Sequence, residues 1–187
     1  MSEPLRDLRD PARVLESATV FDGKVWDIKR ETAAFGDGTI TREFMAHPGA
    51  VAILAIDEQE RVLLINQYRH PIGSRNWEIP AGLLDVADEA PLLAAQRELA
   101  EEADLVAAEW GEPLTFHTSP GGSDELINLF EARGLSAAAS VHDRTDEEAE
   151  IVLRWAPLDE VVEAVLDGRL RNAILMIAVL AHRARRG

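Results

Sequence analysis

The stretch Arg97-Glu98-Leu99-Ala100-Glu101-Glu102 sets three carboxylates and one guanidinium within six positions. On a helix, like charges at i,i+3 and i,i+4 repel by roughly a few tenths of a kcal/mol per pair. Either these side chains spread into solvent, or something draws them together. Three carboxylates on one helical flank offer hard oxygens to a common point, a donor set suited to Mg2+ or Mn2+. A divalent ion so held polarises a phosphoryl oxygen and orients an in-line attack. A solvated acidic helix face has the same composition, and the cluster alone leaves both readings open.

The elements that must position this cluster follow from periodicity. Pro91 suits the first turn of a helix, where its missing N–H costs nothing. Leu92, Ala95, Leu99 and Ala103 then recur at helical spacing and predict one apolar face over 91–103. Upstream, the run Ala50–Ile56 is apolar throughout and β-branched, which predicts a buried strand. A turn at Asp57–Glu60 and a return strand over Arg61–Tyr68 follow. Trp77–Gly82 reads as a short strand stopped by proline and glycine. Between 17 and 47, alternating segments broken at Asp22-Gly23 and Gly36-Asp37-Gly38 predict successive antiparallel strands, behind a polar arm over 1–15. Beyond the helix, strands are predicted at Thr115–Thr118, Leu126–Glu131 and Ile151–Trp155, then helices at Leu158–Leu166 and Asn172 to about Arg185. This order is an α/β mixture without regular βαβ alternation.

The 187 residues fit one domain with a small appendage, and 47% apolar with 28% charged residues is ordinary for a globular chain. There is no cysteine, hence no disulfide and no thiolate metal site, which suits a reducing cytoplasm. The start, MSEPLRDLRD, lacks the apolar core of a signal peptide, and no run approaches the ~20 residues that span a bilayer. A net charge of −15 argues against a nucleic-acid binder. It is compatible with a phosphorylated small molecule if divalent cations stand between carboxylates and phosphates.

Gly82, Glu89, Arg97-Glu98-Leu99, Glu101-Glu102 and Leu105 together resemble the signature of the Nudix hydrolases, G-x5-E-x7-R-E-U-x-E-E-x-G-U with U aliphatic. Two positions depart from it. Six residues instead of five separate Gly82 from Glu89, which is read as an extra residue in the loop, and Asp104 stands where the pattern has its last glycine. Asp tolerates the left-handed conformation better than most residues. The resemblance covers roughly 48–187 and implies an α/β/α sandwich with a mixed sheet, in which the motif forms loop–helix–loop. It implies that Glu98 and Glu102 are the principal metal ligands, that Glu101 assists, and that the Ala81 carbonyl is a further ligand. Arg97 would orient these carboxylates by charge-assisted hydrogen bonds.

Within that family the chain is similar to the ADP-ribose pyrophosphatase branch. The similarity lies in the strand-rich extension over 1–47, in Gln67-Tyr68-Arg69-His70-Pro71, in Trp77-Glu78-Ile79-Pro80-Ala81-Gly82, and in Pro120, sixteen positions beyond Asp104. It implies a homodimer formed through the extension and a substrate site drawing on Arg69, Trp77, Glu78 and Pro120. The acidic run Thr145-Asp146-Glu147-Glu148-Ala149-Glu150 corresponds to a loop that delivers a general base. Glu147 is favoured, then Glu148, then Glu150. The expected activity is Mg2+-dependent (or Mn2+-dependent) hydrolysis of ADP-ribose, or a close ADP-sugar, to AMP and ribose 5-phosphate in the cytoplasm. Another nucleotide sugar such as GDP-mannose is the alternative substrate. A nucleotide-sensing module without turnover is the alternative of another class.

Overall fold

The computed structural model describes residues 4–140 and 150–186. The chain divides into two compact units, Met1–His47 with Ser119–Asp124, and Pro48–Thr118 with Glu125–Gly187. In the first unit, β1 (Val14–Phe21), β2 (Asp27–Phe35) and β3 (Gly38–Ala46) form an antiparallel sheet in the order β1-β2-β3. The two-residue turn Gly36-Asp37, with Gly36 in the left-handed region at φ 56°, closes the β2–β3 hairpin. The segment Ser119–Asp124 is tied to the end of β3: Met45 N–H donates to the Gly122 carbonyl at 2.9 Å and His47 N–H to Asp124 Oδ1 at 2.8 Å.

The second unit is built around β4 (Ala50–Ala55), which is buried along its whole length. Alternation divides its side chains between two layers. Ala50, Ala52 and Leu54 join one apolar cluster, Val51, Ile53 and Ala55 the other. After β5 (Arg61–Arg69) come β6 (Ser74–Glu78), β7 (Ala81–Leu83), α1 (Pro91–Ala103), β8 (Leu105–Trp110), β9 (Leu114–His117), β10 (Leu126–Ala137), β11 (Val152–Pro157), α2 (Leu158–Leu166) and α3 (Ala173–Arg186). One sheet runs β7-β4-β10-β8 with β9 also on β10, and it is mixed, because β10 is parallel to β4 and antiparallel to β8. A second sheet runs β11-β5-β6. Helix α1 packs its Ala94, Ala95, Leu99 and Ala103 on one face, while α2 and α3 cover the other with Val161, Val165, Leu175 and Val179. The expected α/β/α arrangement with a mixed sheet is therefore present.

Three details differ from the sequence expectations. The segment expected as one strand over Trp77–Gly82 is two, because Pro80 has no N–H to continue a ladder. The chain leaves β5 at Glu78 and joins β4 at Ala81, with Ile53 N–H donating to the Pro80 carbonyl at 2.8 Å. Strand β8 was not expected at all. Leu92 is not part of the α1 core face and lies 37% exposed, its place taken by Ala94.

Candidate active site

Crossing from one sheet to the other delivers Ala81 and Gly82 to the flank of α1. Glu102, buried at 5% exposure, accepts the Ala81 N–H on Oε2 at 2.9 Å. Glu98, one turn earlier, lies over Gly82: a Cβ built there would stand 2.0 Å from both Cδ and Oε1 of the Glu98 carboxyl. Any other residue at 82 would expel that carboxyl. A buried carboxylate, a second carboxylate one turn away and a bare stretch of backbone thus share one corner.

Arg97 resolves the repulsion within the cluster. Its Nε and Nη2 donate to the two oxygens of Glu89 at 3.1 and 2.9 Å, and its Nη1 donates to Glu98 Oε1 at 2.7 Å and Glu101 Oε2 at 3.0 Å. The two-point bond to Glu89 is the planar fork geometry that lysine cannot supply. Foremost through Glu89, and then through Glu98 and Glu101, these bonds raise the Arg97 pKa, while Arg97 holds Glu89 below the usual carboxylate range. Glu89 and not Asp88 makes this contact; Asp88 sits in the loop at φ 61°, in the left-handed region. The helix ends at Asp104, also left-handed at φ 55°, whose N–H caps the Ala100 carbonyl. Both departures from the family spacing thus fall in backbone turns and leave the carboxylates on α1.

Whether a divalent ion suits this corner can be read from the donors. Glu89, Glu98 and Glu101 share one guanidinium and Glu102 adds a further carboxyl on the same helix, an excess of acidic groups that would repel a phosphate without an intervening cation. Among the described residues no three His, Asp or Glu side chains stand ready-made as a metal cage. Mg2+ is seldom held by a full protein cage; it keeps water and takes substrate oxygens. On donor chemistry the residues fit such an ion.

The other expected site residues are spread along the chain. Glu78, 3% exposed, receives Arg69 Nε at 3.0 Å and Nη2 at 2.6 Å, with Gln67 Nε2 at 3.4 Å. Glu78 therefore aims Arg69, a role the sequence did not suggest. Trp77 is partly buried against the core, and the Arg154 guanidinium lies 6.0 Å from its ring centre. Pro120 is exposed in the other unit. Glu147 and Glu148 lie outside the described residues. Glu150 is paired with Arg75.

The NUDIX domain model matches residues 45–176. The chain belongs to the NUDIX domain family. Among curated relatives, an ADP-ribose pyrophosphatase of Mycobacterium tuberculosis is 40% identical over 168 residues, which is 89% of this chain and 81% of the relative. A methanol dehydrogenase activator of Bacillus methanolicus is 33% identical, covering 89% of this chain and 90% of the relative. The crystal structure of an ADP compounds hydrolase superposes with a TM-score of 0.77 over 96% of each chain. At 19% identity that likeness is one of fold. In this NUDIX domain, the signature helix is α1.

Proposed function

We propose that the chain is a Nudix pyrophosphohydrolase that cleaves the diphosphate of ADP-ribose, or of a close ADP-sugar, to AMP and ribose 5-phosphate. The observation that carries this reading is the convergence of Glu98, held by Arg97, and Glu102, bonded to Ala81, on Ala81-Gly82; the 40% identity to an ADP-ribose pyrophosphatase supports the substrate. Glu98 and Glu102 would hold Mg2+ or Mn2+, with Glu101 assisting and the Ala81 carbonyl as a further donor. When bound, the ion supplies a Lewis acid that offsets the diphosphate charge. The chain does the rest. Arg97 keeps Glu98 and Glu101 from springing apart. Gly82 leaves room for the Glu98 carboxyl. Arg69, aimed by Glu78, offers a cation to the substrate's phosphate or sugar end. Glu147, with Glu148 next and Glu150 third, accepts a proton from the attacking water. Water oxygen bonds to one phosphorus, the bridging P–O bond breaks, and the second phosphate leaves with its sugar or nucleoside.

The assembly we propose is a homodimer formed through the 1–47 extension. Its support is the outer strand β1, where Val14, Val20 and Phe21 are 48%, 44% and 62% exposed. Light scattering should return twice the 20.6 kDa chain mass, and a monomer at micromolar concentration would refute it. Among the described residues no helix is long and apolar enough to cross a membrane. Product analysis tests the activity: AMP and ribose 5-phosphate should appear with Mg2+, and ADP-ribose left intact with either Mg2+ or Mn2+ would refute it.

A further inference from the structure

Alternation along β5 and β6 sorts their side chains onto two faces. Leu63, with Trp155 opposite it on β11, joins the apolar cluster of Ala94, Ala95 and Leu99, so this is the face that α1 covers. Leu64 and Trp77 join the cluster on the other face. From Leu63 onward, Ile65, Gln67 and Arg69 return in turn to the α1 face. The register sets Glu78 opposite Ile65, Asn76 opposite Gln67 and Ser74 opposite Arg69. Past Ile65 the α1 face of these two strands is therefore polar throughout.

A polar strip on a covered face is the informative exception to an apolar interior. Gln67 and Glu78 are buried, and Ser74 and Asn76 are half-buried. Only Ile79 and Pro80 separate Glu78 from Ala81, whose N–H is bonded to Glu102, so the strip leads straight into the α1 corner. Its shape is fixed from within. Glu78 binds Arg69 at two points and takes Gln67 Nε2 at 3.4 Å. The Ser74 hydroxyl lies 3.1 Å from Asn76 Oδ1 and braces that carboxamide. A carboxamide both donates and accepts, and one bond to Ser74 leaves most of that capacity for a ligand.

Charge and shape say which part of a substrate the strip suits. The Arg69 guanidinium is matched by the Glu78 carboxylate, so the strip does not call for a phosphate beyond the diphosphate itself. A nucleobase gains from a ring on which to stack. The aromatic residues of these strands, Tyr68 and Trp77, alternate to the opposite face. A sugar needs neither a spare cation nor a ring. Its hydroxyls give and take hydrogen bonds, as carboxamides do.

We propose that Asn76, braced by Ser74, is a specificity-determining residue that hydrogen-bonds the hydroxyls of the sugar joined to the diphosphate. The inference rests on the diphosphate reading of the α1 site. Two ligands isolate the sugar: ADP-ribose, and the methyl ester of ADP, which keeps adenosine and a diphosphate diester but lacks the second sugar. Calorimetry with Ca2+ gives their affinities, and steady-state kinetics with Mg2+ give kcat and KM. The unaltered chain should bind ADP-ribose about tenfold more tightly than the methyl ester. Asn76→Leu should weaken ADP-ribose about fivefold to tenfold, the worth of one or two hydrogen bonds. The loss should fall on KM with kcat unchanged, as for binding shared by ground and transition states, and the methyl ester should be unaffected. Should Asn76→Leu fail to fold, Ser74→Ala removes only the brace and should show the same contrast at about twofold to threefold. The proposal is overturned if the unaltered chain binds both ligands equally, if the variant leaves ADP-ribose unchanged, or if it weakens both ligands alike. An unaltered chain that neither binds nor cleaves ADP-ribose would instead remove the diphosphate reading, and this proposal with it.

Discussion

Glu102 is the side chain on which the catalytic reading turns. It is almost wholly buried and accepts the Ala81 N–H on Oε2. Burying a carboxylate is costly unless charge and hydrogen bonds compensate, and a divalent cation held here would add to that compensation. Glu102→Gln keeps an amide oxygen for the Ala81 N–H and removes only the charge. Its folded stability should stay close to that of the parent, while kcat with Mg2+ falls about 10²–10³-fold, the usual range for losing one electrostatic stabiliser. Steady-state kinetics across a metal titration read both effects. Activity retained with unchanged metal dependence would remove Glu102 from the ligand set.

At the scale of elements, α1 is held by its two ends. Pro91 starts it, and Asp104 stops it in a conformation that costs a side chain about 1–2 kcal/mol. Asp104→Val should lower unfolding free energy by about that amount in urea titration, whereas Asp104→Gly should cost little or nothing; equal losses in both would show that the turn is not the cause. The helix and its cap were legible in sequence, because a proline, a periodic apolar stripe and a turn-forming Asp all mark the same boundaries. So were β4 and β5, whose apolar runs leave no other reading. The family motif brought the carboxylates to notice before any geometry was known. Three things were hidden. Strand β8, Leu-Val-Ala-Ala-Glu-Trp, has neither strong alternation nor punctuation, and becomes a strand by pairing with β10. The break between β6 and β7 is tertiary, since a proline signals an interruption without saying that the chain changes sheets. The Arg69–Glu78 pair is nine residues apart in the chain, and only the β5–β6 register, which sets Glu78 opposite Ile65 and Arg69 opposite Ser74, puts the two side chains on one face.

For the molecule as a whole, the second unit is tied together by charge as well as by its core. Arg133 and Arg186 both pair with Glu60 at the β4–β5 turn, and Glu131 on β10 pairs with Arg133 and with His182 on α3. Glu60, chiefly through its hydrogen bond from Arg133, and Glu131, despite its burial, both have lowered pKa values in the fold. A lowered folded value means that the stabilisation is complete above the ordinary glutamate range and is lost as pH falls through the folded values. The thermal unfolding midpoint should therefore fall on acidification, and Glu131→Gln should show a flatter decline across that window; parallel curves would refute the linkage. The central claim is the chemistry of the α1 site, and one measurement reaches it directly: kcat/KM for ADP-ribose, GDP-mannose and NADH, each with Mg2+ and with chelator. The account predicts AMP released fastest from ADP-ribose and abolished by chelation. Turnover that survives chelation, or tight binding of ADP-ribose with no product, would contradict it.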